Sequence, residues 1–136
     1  MSDENPSILS HVSLGTNDVH SAIAFYDKVL APLGIGRVEN LEGVGAAYGK
    51  QFPEFWICLP HDDKRASTGN GVHVGFIANS KDDVHAFHTA ALAAGGVDDG
   101  APGPRPQYGE PYYGCFIMDP DGNKIEAAYW DINMAQ

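Results

Sequence analysis

The chain of 136 residues is 43% hydrophobic and carries a formal charge of −10, which suits one compact domain that can bury a core without disulfides and excludes a fibre or a disordered tail. The acidic charge is spread over the whole length, so phosphate backbones and anionic membrane surfaces are repelled and nucleic acid is disfavoured as a partner. Its two cysteines, Cys58 and Cys115, form no CxxC pair, which excludes a zinc knuckle or dithiol motif and leaves buried free thiols as the expectation.

The N-terminal stretch MSDENPS is acidic and polar and precedes no apolar run of signal-peptide type, and no apolar run approaches the ~20 residues of a bilayer span. A soluble, cytoplasmic protein is expected. The first strand is expected around Ile8, Val12 and Leu14, interspersed with Ser10 and Ser13. A helix follows, with Val19, Ala22, Ile23, Tyr26, Val29, Leu30 and Leu33 at helical spacing and Gly34 as its stop. Short strand-like runs come next at 37–39, 44–48 and 55–59. The polar, turn-rich segment 60–71 reads as a linker.

Sliding the sequence by 62 residues lays 11–34 over 73–96, so that His11 meets His73, Asn17 meets Asn79, Phe25 meets Phe87, Leu30 meets Leu92 and Gly34 meets Gly96 without gaps. The second copy repeats the order: a strand with Val72, Val74, Phe76 and Ala78 on one face, then a helix carrying Val84, Phe87, Ala91 and Leu92. Ser80 and Asp83 form a start resembling a capping box, and Gly95 and Gly96 form the stop. Segment 95–111 reads as a long loop able to fold over a site. Strands at 112–118 and 124–130 close the copy, joined by the tight turn DPDGN at 119–123. The expected architecture is α+β, one domain of two βαβββ modules, at about 8–60 and 71–130.

His11 and His73 open equivalent strands, each on the face opposite the apolar residues. In the last strand Ile125, Ala127 and Tyr129 share one face, which leaves Lys124, Glu126 and Ala128 on the other. An ionised carboxylate buried there needs a partner. Two imidazoles and one carboxylate on one face are the donor set of a mononuclear site for Zn(II), Ni(II), Mn(II) or Fe(II), with positions left for water or substrate. The competing readings are a hydrogen-bonded histidine pair that binds no metal and an ion pair of Glu126 with Lys124. Alternation sends one of Tyr112 and Tyr113 toward this face and the other toward the helices, so either is a candidate substrate contact or a core residue. Arg105 in the PGPRP segment is a candidate clamp for a substrate carboxylate, against the reading of a solvated loop arginine. No P-loop, dinucleotide-binding fingerprint or GxSxG elbow is present.

The duplicated pattern, His11 and His73, the run YYGCFIMDPDGNKIEAAY and the helix end FYDKVLAPLG together resemble the vicinal oxygen chelate superfamily of glyoxalase I, extradiol dioxygenases and bleomycin-resistance proteins. The resemblance covers nearly the whole chain. It implies a cupped, incomplete barrel sheet with helices outside, His11, His73 and Glu126 as metal ligands, and a homodimer. It also places Trp56, which binds no metal, at or near the position of a fourth ligand in glyoxalase I, with Glu54 as the nearest carboxylate of the same strand parity. The activity implied is that of a metal-dependent lyase or isomerase acting on a small oxygen-rich substrate, with Glu126 as a candidate general base. Two alternatives stand beside it. One is a metal-free protein that holds a small planar ligand with Phe55, Trp56, Tyr112, Tyr113 and Trp130. The other is an Fe(II) extradiol dioxygenase using the two-histidine, one-carboxylate triad.

Overall fold

A computed structural model of the protein describes residues 5–134. The first module runs β1 (Val12–Gly15), α1 (Val19–Leu30), β2 (Gly36–Leu41), β3 (Gly45–Gly49) and β4 (Phe55–Cys58). The second runs β5 (His73–Ile77), α2 (Lys81–Ala93), β6 (Val97–Pro104), β7 (Tyr112–Met118) and β8 (Lys124–Trp130). Each forms its own four-stranded sheet, in the orders β1-β4-β3-β2 and β5-β8-β7-β6. In both, the first strand is parallel to the last and the other pairings are antiparallel. The 62-residue repeat is therefore a repeat of topology. The fold class is α+β with two open mixed sheets, and among the described residues no ladder joins one sheet to the other.

Local sequence accounts for the helix limits. Asp18 caps α1 by accepting from the Ser21 N–H at 3.1 Å, and Pro32, which has no N–H to continue the helical ladder, turns the chain into a short 3-10 segment at Ala31–Leu33 that ends on Gly34. Ser80 caps α2 by accepting from the Asp83 N–H at 3.0 Å, while the Asp83 carboxylate returns to the Asn79 N–H at 3.3 Å. The reciprocal bond thus lands one residue earlier than a standard capping box places it. Ser80→Ala is expected to cost about 1 kcal/mol, readable as a lower urea midpoint with an unchanged slope.

One core serves both modules. Phe25, Tyr26, Val29 and Leu30 of α1 and Val84, Phe87 and Ala91 of α2 are buried in a single cluster with Phe55, Ile57, Phe76, Ile117 and Ile125. Phe55 meets Phe76 edge to face at 5.0 Å across the two sheets. Each sheet therefore spends one face on the helices and leaves the other, carrying His73 and Glu126 in the second module and Trp56 in the first, free of them. None of the described helices is long and apolar enough to cross a membrane.

Two expectations change. The stretch 95–111 is not a loop throughout, because Val97–Pro104 forms β6 at the sheet edge, paired with β7 through register shifts between Asp98 and Gly100 and between Gly100 and Gly103. Proline is tolerated on an edge because one side of the strand needs no donor, so a segment with turn composition can still join a ladder. At the other end, β1 begins only at Val12, and Ile8 is 95% exposed.

The turn DPDGN does more than connect β7 to β8. Asp119, 3% exposed, accepts from the Tyr26 hydroxyl of α1 at 2.6 Å and from the Asn123 backbone and side chain at 2.8 and 3.0 Å. Asn123 in turn donates to the Gly15 carbonyl of β1 at 3.0 Å, and the Asp121 carboxylate accepts from the Asn17 N–H at 3.0 Å. The hairpin of one module is thereby bolted to the first strand and helix of the other.

Candidate active site

Glu126 lies mid-strand on β8, opposite Gly75 of β5 and Phe116 of β7, and is only 8% exposed. Both carboxylate oxygens have partners: Oε1 is 3.1 Å from His73 Nε2, and Oε2 accepts the Tyr112 hydroxyl at 2.5 Å. This satisfies the requirement that a buried carboxylate be compensated. Burial first, and the bond to Glu126 second, push the Tyr112 phenol well above its usual range, so it stays a donor at neutral pH.

Two glycines make the arrangement possible. A Cβ at Gly114 would overlap the Tyr112 hydroxyl and approach the Ala127 carbonyl to 2.8 Å, and a Cβ at Gly75 would stand 3.3 Å from Glu126 Oε1. The strands on both sides of β8 are thus bare where the carboxylate and its donor lie. Neither glycine is conspicuous in the sequence. Their signal is positional: once the ladder register is known, Gly75 stands opposite Glu126 and Gly114 opposite Ala128, two residues further along the same face.

The two tyrosines divide as alternation requires. Tyr112 shares the face of Glu126, packed edge to face against Tyr108 and Trp130 at 5.1 Å each. Tyr113 faces the helix layer, with its hydroxyl 2.6 Å from His85 Nε2 and the Lys81 ammonium 5.1 Å from its ring. His88, half-buried on α2, stands 2.8 Å from Asp98 of β6. His85 is exposed and held by that bond.

Cations converge on the same face as Glu126. Arg105 is no freely solvated loop residue: it donates to the Ala101 and Pro104 carbonyls at 2.7 and 3.2 Å, and its guanidinium stands 5.7 Å from the centre of the Phe116 ring. Lys124 does not pair with Glu126. Its ammonium is 3.2 Å from Asp99 and 4.7 Å from the centre of the Phe116 ring. His73 meets that ring as well, edge to face at 6.2 Å. An open cavity of about 460 Å³ adjoins, lined by His73, Met118, Lys124, Leu14 and the linker residues 68–72.

Of the three expected metal ligands, the structure brings His73 and Glu126 together and leaves His11 apart. His11 precedes β1 on the other sheet, exposed, with Nδ1 3.0 Å from the Ser10 hydroxyl. Among the described residues no three His, Cys, Asp or Glu side chains of one chain converge as a metal site. Trp56 is half-buried on β4 of the first module, between Ser13 and Ala47 in the ladder, and Glu54 is exposed just before it. Two ligands about 2.1 Å from one ion and 90–109° apart stand roughly 3.0–3.4 Å from each other. The 3.1 Å between His73 Nε2 and Glu126 Oε1 fits two such ligands, and among the described residues no third donor of the same chain stands with them.

A family model described as the Glyoxalase/Bleomycin resistance protein/Dioxygenase superfamily matches residues 8–127. The chain is similar to the "Probable lactoylglutathione lyase" of Vibrio cholerae serotype O1, 31% identical over 120 residues that cover 85% of this chain and 86% of that protein. Among solved structures it is similar to a glyoxalase/bleomycin resistance protein from Albidiferax ferrireducens T118, with a TM-score of 0.80 and 39% identity over 90% of this chain and 98% of that one. It also shares the fold of a lactoylglutathione lyase from Agrobacterium tumefaciens, with a TM-score of 0.66 and 22% identity over 91% and 94% of the two chains.

Proposed function

We propose a function from one premise: the chain belongs to the Glyoxalase/Bleomycin resistance protein/Dioxygenase superfamily. Within it, the reading best supported is a small enzyme dependent on a divalent metal (zinc, nickel, manganese or iron), a lyase or isomerase acting on a small oxygen-rich substrate. The observation that carries it is the asymmetry of Glu126, whose Oε2 is taken by Tyr112 while Oε1 points to His73 at 3.1 Å. The name of the Vibrio cholerae relative supports a lyase.

His73 and Glu126 would hold the ion, which supplies Lewis acidity toward substrate oxygens when bound. The third ligand is His11 of a second copy, because within one chain His11 lies on the other sheet. A homodimer that brings the helix-free faces of unlike modules together would supply it, and that face carries Ile77 and Trp130, 73% and 49% exposed. Oε1, the Glu126 oxygen that Tyr112 leaves to the site, would accept a substrate proton when it is not holding the ion, with Tyr112 keeping the carboxylate from rotating away. Trp56, from the first module, would close the site as an apolar wall where a fourth ligand is missing.

The second reading is a metal-free binding protein for a planar ligand, favoured by the aromatic cluster of Tyr108, Tyr112 and Trp130, packed edge to face. Elemental analysis of protein purified without chelator or histidine tag separates the two. The expected result is about one divalent ion per chain, lost in both Glu126→Ala and His11→Ala. A metal-free protein that also refuses added zinc, nickel, manganese and iron overturns the enzyme reading, and a His11→Ala variant that keeps its metal overturns the shared site. Iron as the resident ion directs assay toward dioxygenation.

A further inference from the structure

We propose that Lys124 and Arg105, bracketing Phe116, form an anion subsite that selects a substrate bearing a carboxylate. This deepens the reading above and rests on its placement of the site at Glu126. Only eight Lys and Arg residues stand against 18 Asp and Glu in this chain, yet two of the eight converge on one phenyl ring, at 4.7 and 5.7 Å from its centre. Phe116 is the ladder partner of Glu126, and Lys124 is the ladder partner of His73. The two cations therefore lie on the same face as the candidate acid–base group, Lys124 two residues from it along β8 and Arg105 against the ring of its ladder partner on β7.

Both cations are held in place. Two carbonyls of the chain orient the Arg105 guanidinium, and a Cβ at Gly100 or Gly103 would come within 3.2 or 3.3 Å of its terminal nitrogens. Its remaining N–H groups have no protein acceptor among the described residues. Lys124 is bonded to Asp99, with side chains 38% and 41% exposed. Pairs that exposed are weak, so an incoming carboxylate can replace Asp99 and be replaced by it without leaving the ammonium alone. The phenyl ring beneath stabilises both cations through its face and excludes water from one side of the bound anion. The adjoining cavity, about 460 Å³ with Met118 and Val72 in its wall, admits a small organic body attached to that carboxylate. Once the incoming group has displaced Asp99, the two cations opposed by Glu126 leave one positive charge, which favours a singly charged carboxylate over a doubly charged phosphate.

Benzoate, with neutral benzamide as its isostere, tests this by titration calorimetry on the full chain stripped of metal. Benzoate is expected to bind at least about tenfold more tightly than benzamide. Lys124→Met is expected to remove that preference with benzamide affinity unchanged, and Lys124→Arg to keep most of it. Equal binding of the two probes, no binding of either at millimolar concentration, a Lys124→Met variant that retains the preference, or tighter binding of inorganic phosphate than of benzoate each overturns the subsite. Zinc titration of the same proteins separates the two ideas. A subsite failure leaves zinc binding by wild type and Lys124→Met intact, whereas failure of the metal reading abolishes zinc binding and leaves the benzoate preference in place.

Discussion

Replacing Asp119 by alanine is expected to destabilise the protein by about 3 kcal/mol or more, the largest effect of any single polar substitution considered. The side chain is 3% exposed, and its carboxylate accepts the Tyr26 hydroxyl at 2.6 Å, the backbone N–H groups of Asp121 and Asn123 at 2.9 and 2.8 Å, and the Asn123 amide at 3.0 Å. Truncation leaves the Tyr26 hydroxyl, which is wholly buried, with no acceptor, and each such orphan costs about 1–3 kcal/mol. It also frees Asn123 from the orientation in which it donates to Gly15 of the first module. Urea unfolding followed by circular dichroism checks the magnitude. A loss below about 1 kcal/mol would mean that the turn is held by its backbone alone. Tyr26→Phe, which removes a donor and leaves the carboxylate its three other bonds, is expected to cost markedly less.

Tyr112→Phe is expected to cost about 1–3 kcal/mol, because it strips the donor from Oε2 of a buried carboxylate while adding no cavity. Glu126→Leu is expected to be destabilising on its own, since it orphans the Tyr112 hydroxyl that Gly114 makes room for. The double variant removes both polar partners at once. It should be more stable than the sum of the single losses implies, with a coupling of about 1 kcal/mol or more. Additive losses in the cycle would show that the 2.5 Å contact does not hold the carboxylate, and the assignment of Oε1 as the oxygen turned to His73 and the site would fall with it.

The amino-acid sequence by itself determined the repeat, both helices and the limits of the last two strands, 112–118 and 124–130, which agree with the structure. These features rest on periodicities of 2.0 and 3.6 residues and on capping chemistry within a few residues of each other. The same alternation was enough to put Glu126, Lys124 and one of the two tyrosines on a face away from the core.

Tertiary structure decided everything that depends on a neighbour distant in the chain. Segment 97–104 is a strand because β7 offers it a ladder, not because its prolines and glycines favour one. Lys124 meets Asp99 rather than Glu126 because residues two apart on a strand share a face without facing each other, while a long side chain reaches across strands to a partner set by register. DPDGN is legible as a turn, but its bond to Tyr26, 93 residues away, exists only once the two modules share a core. His11 and His73 match at one register of the repeat, yet they stand on different sheets, and only the second reaches Glu126. Local periodicity specifies which face a side chain takes. Strand register and the packing of one module on the other specify whom it meets there.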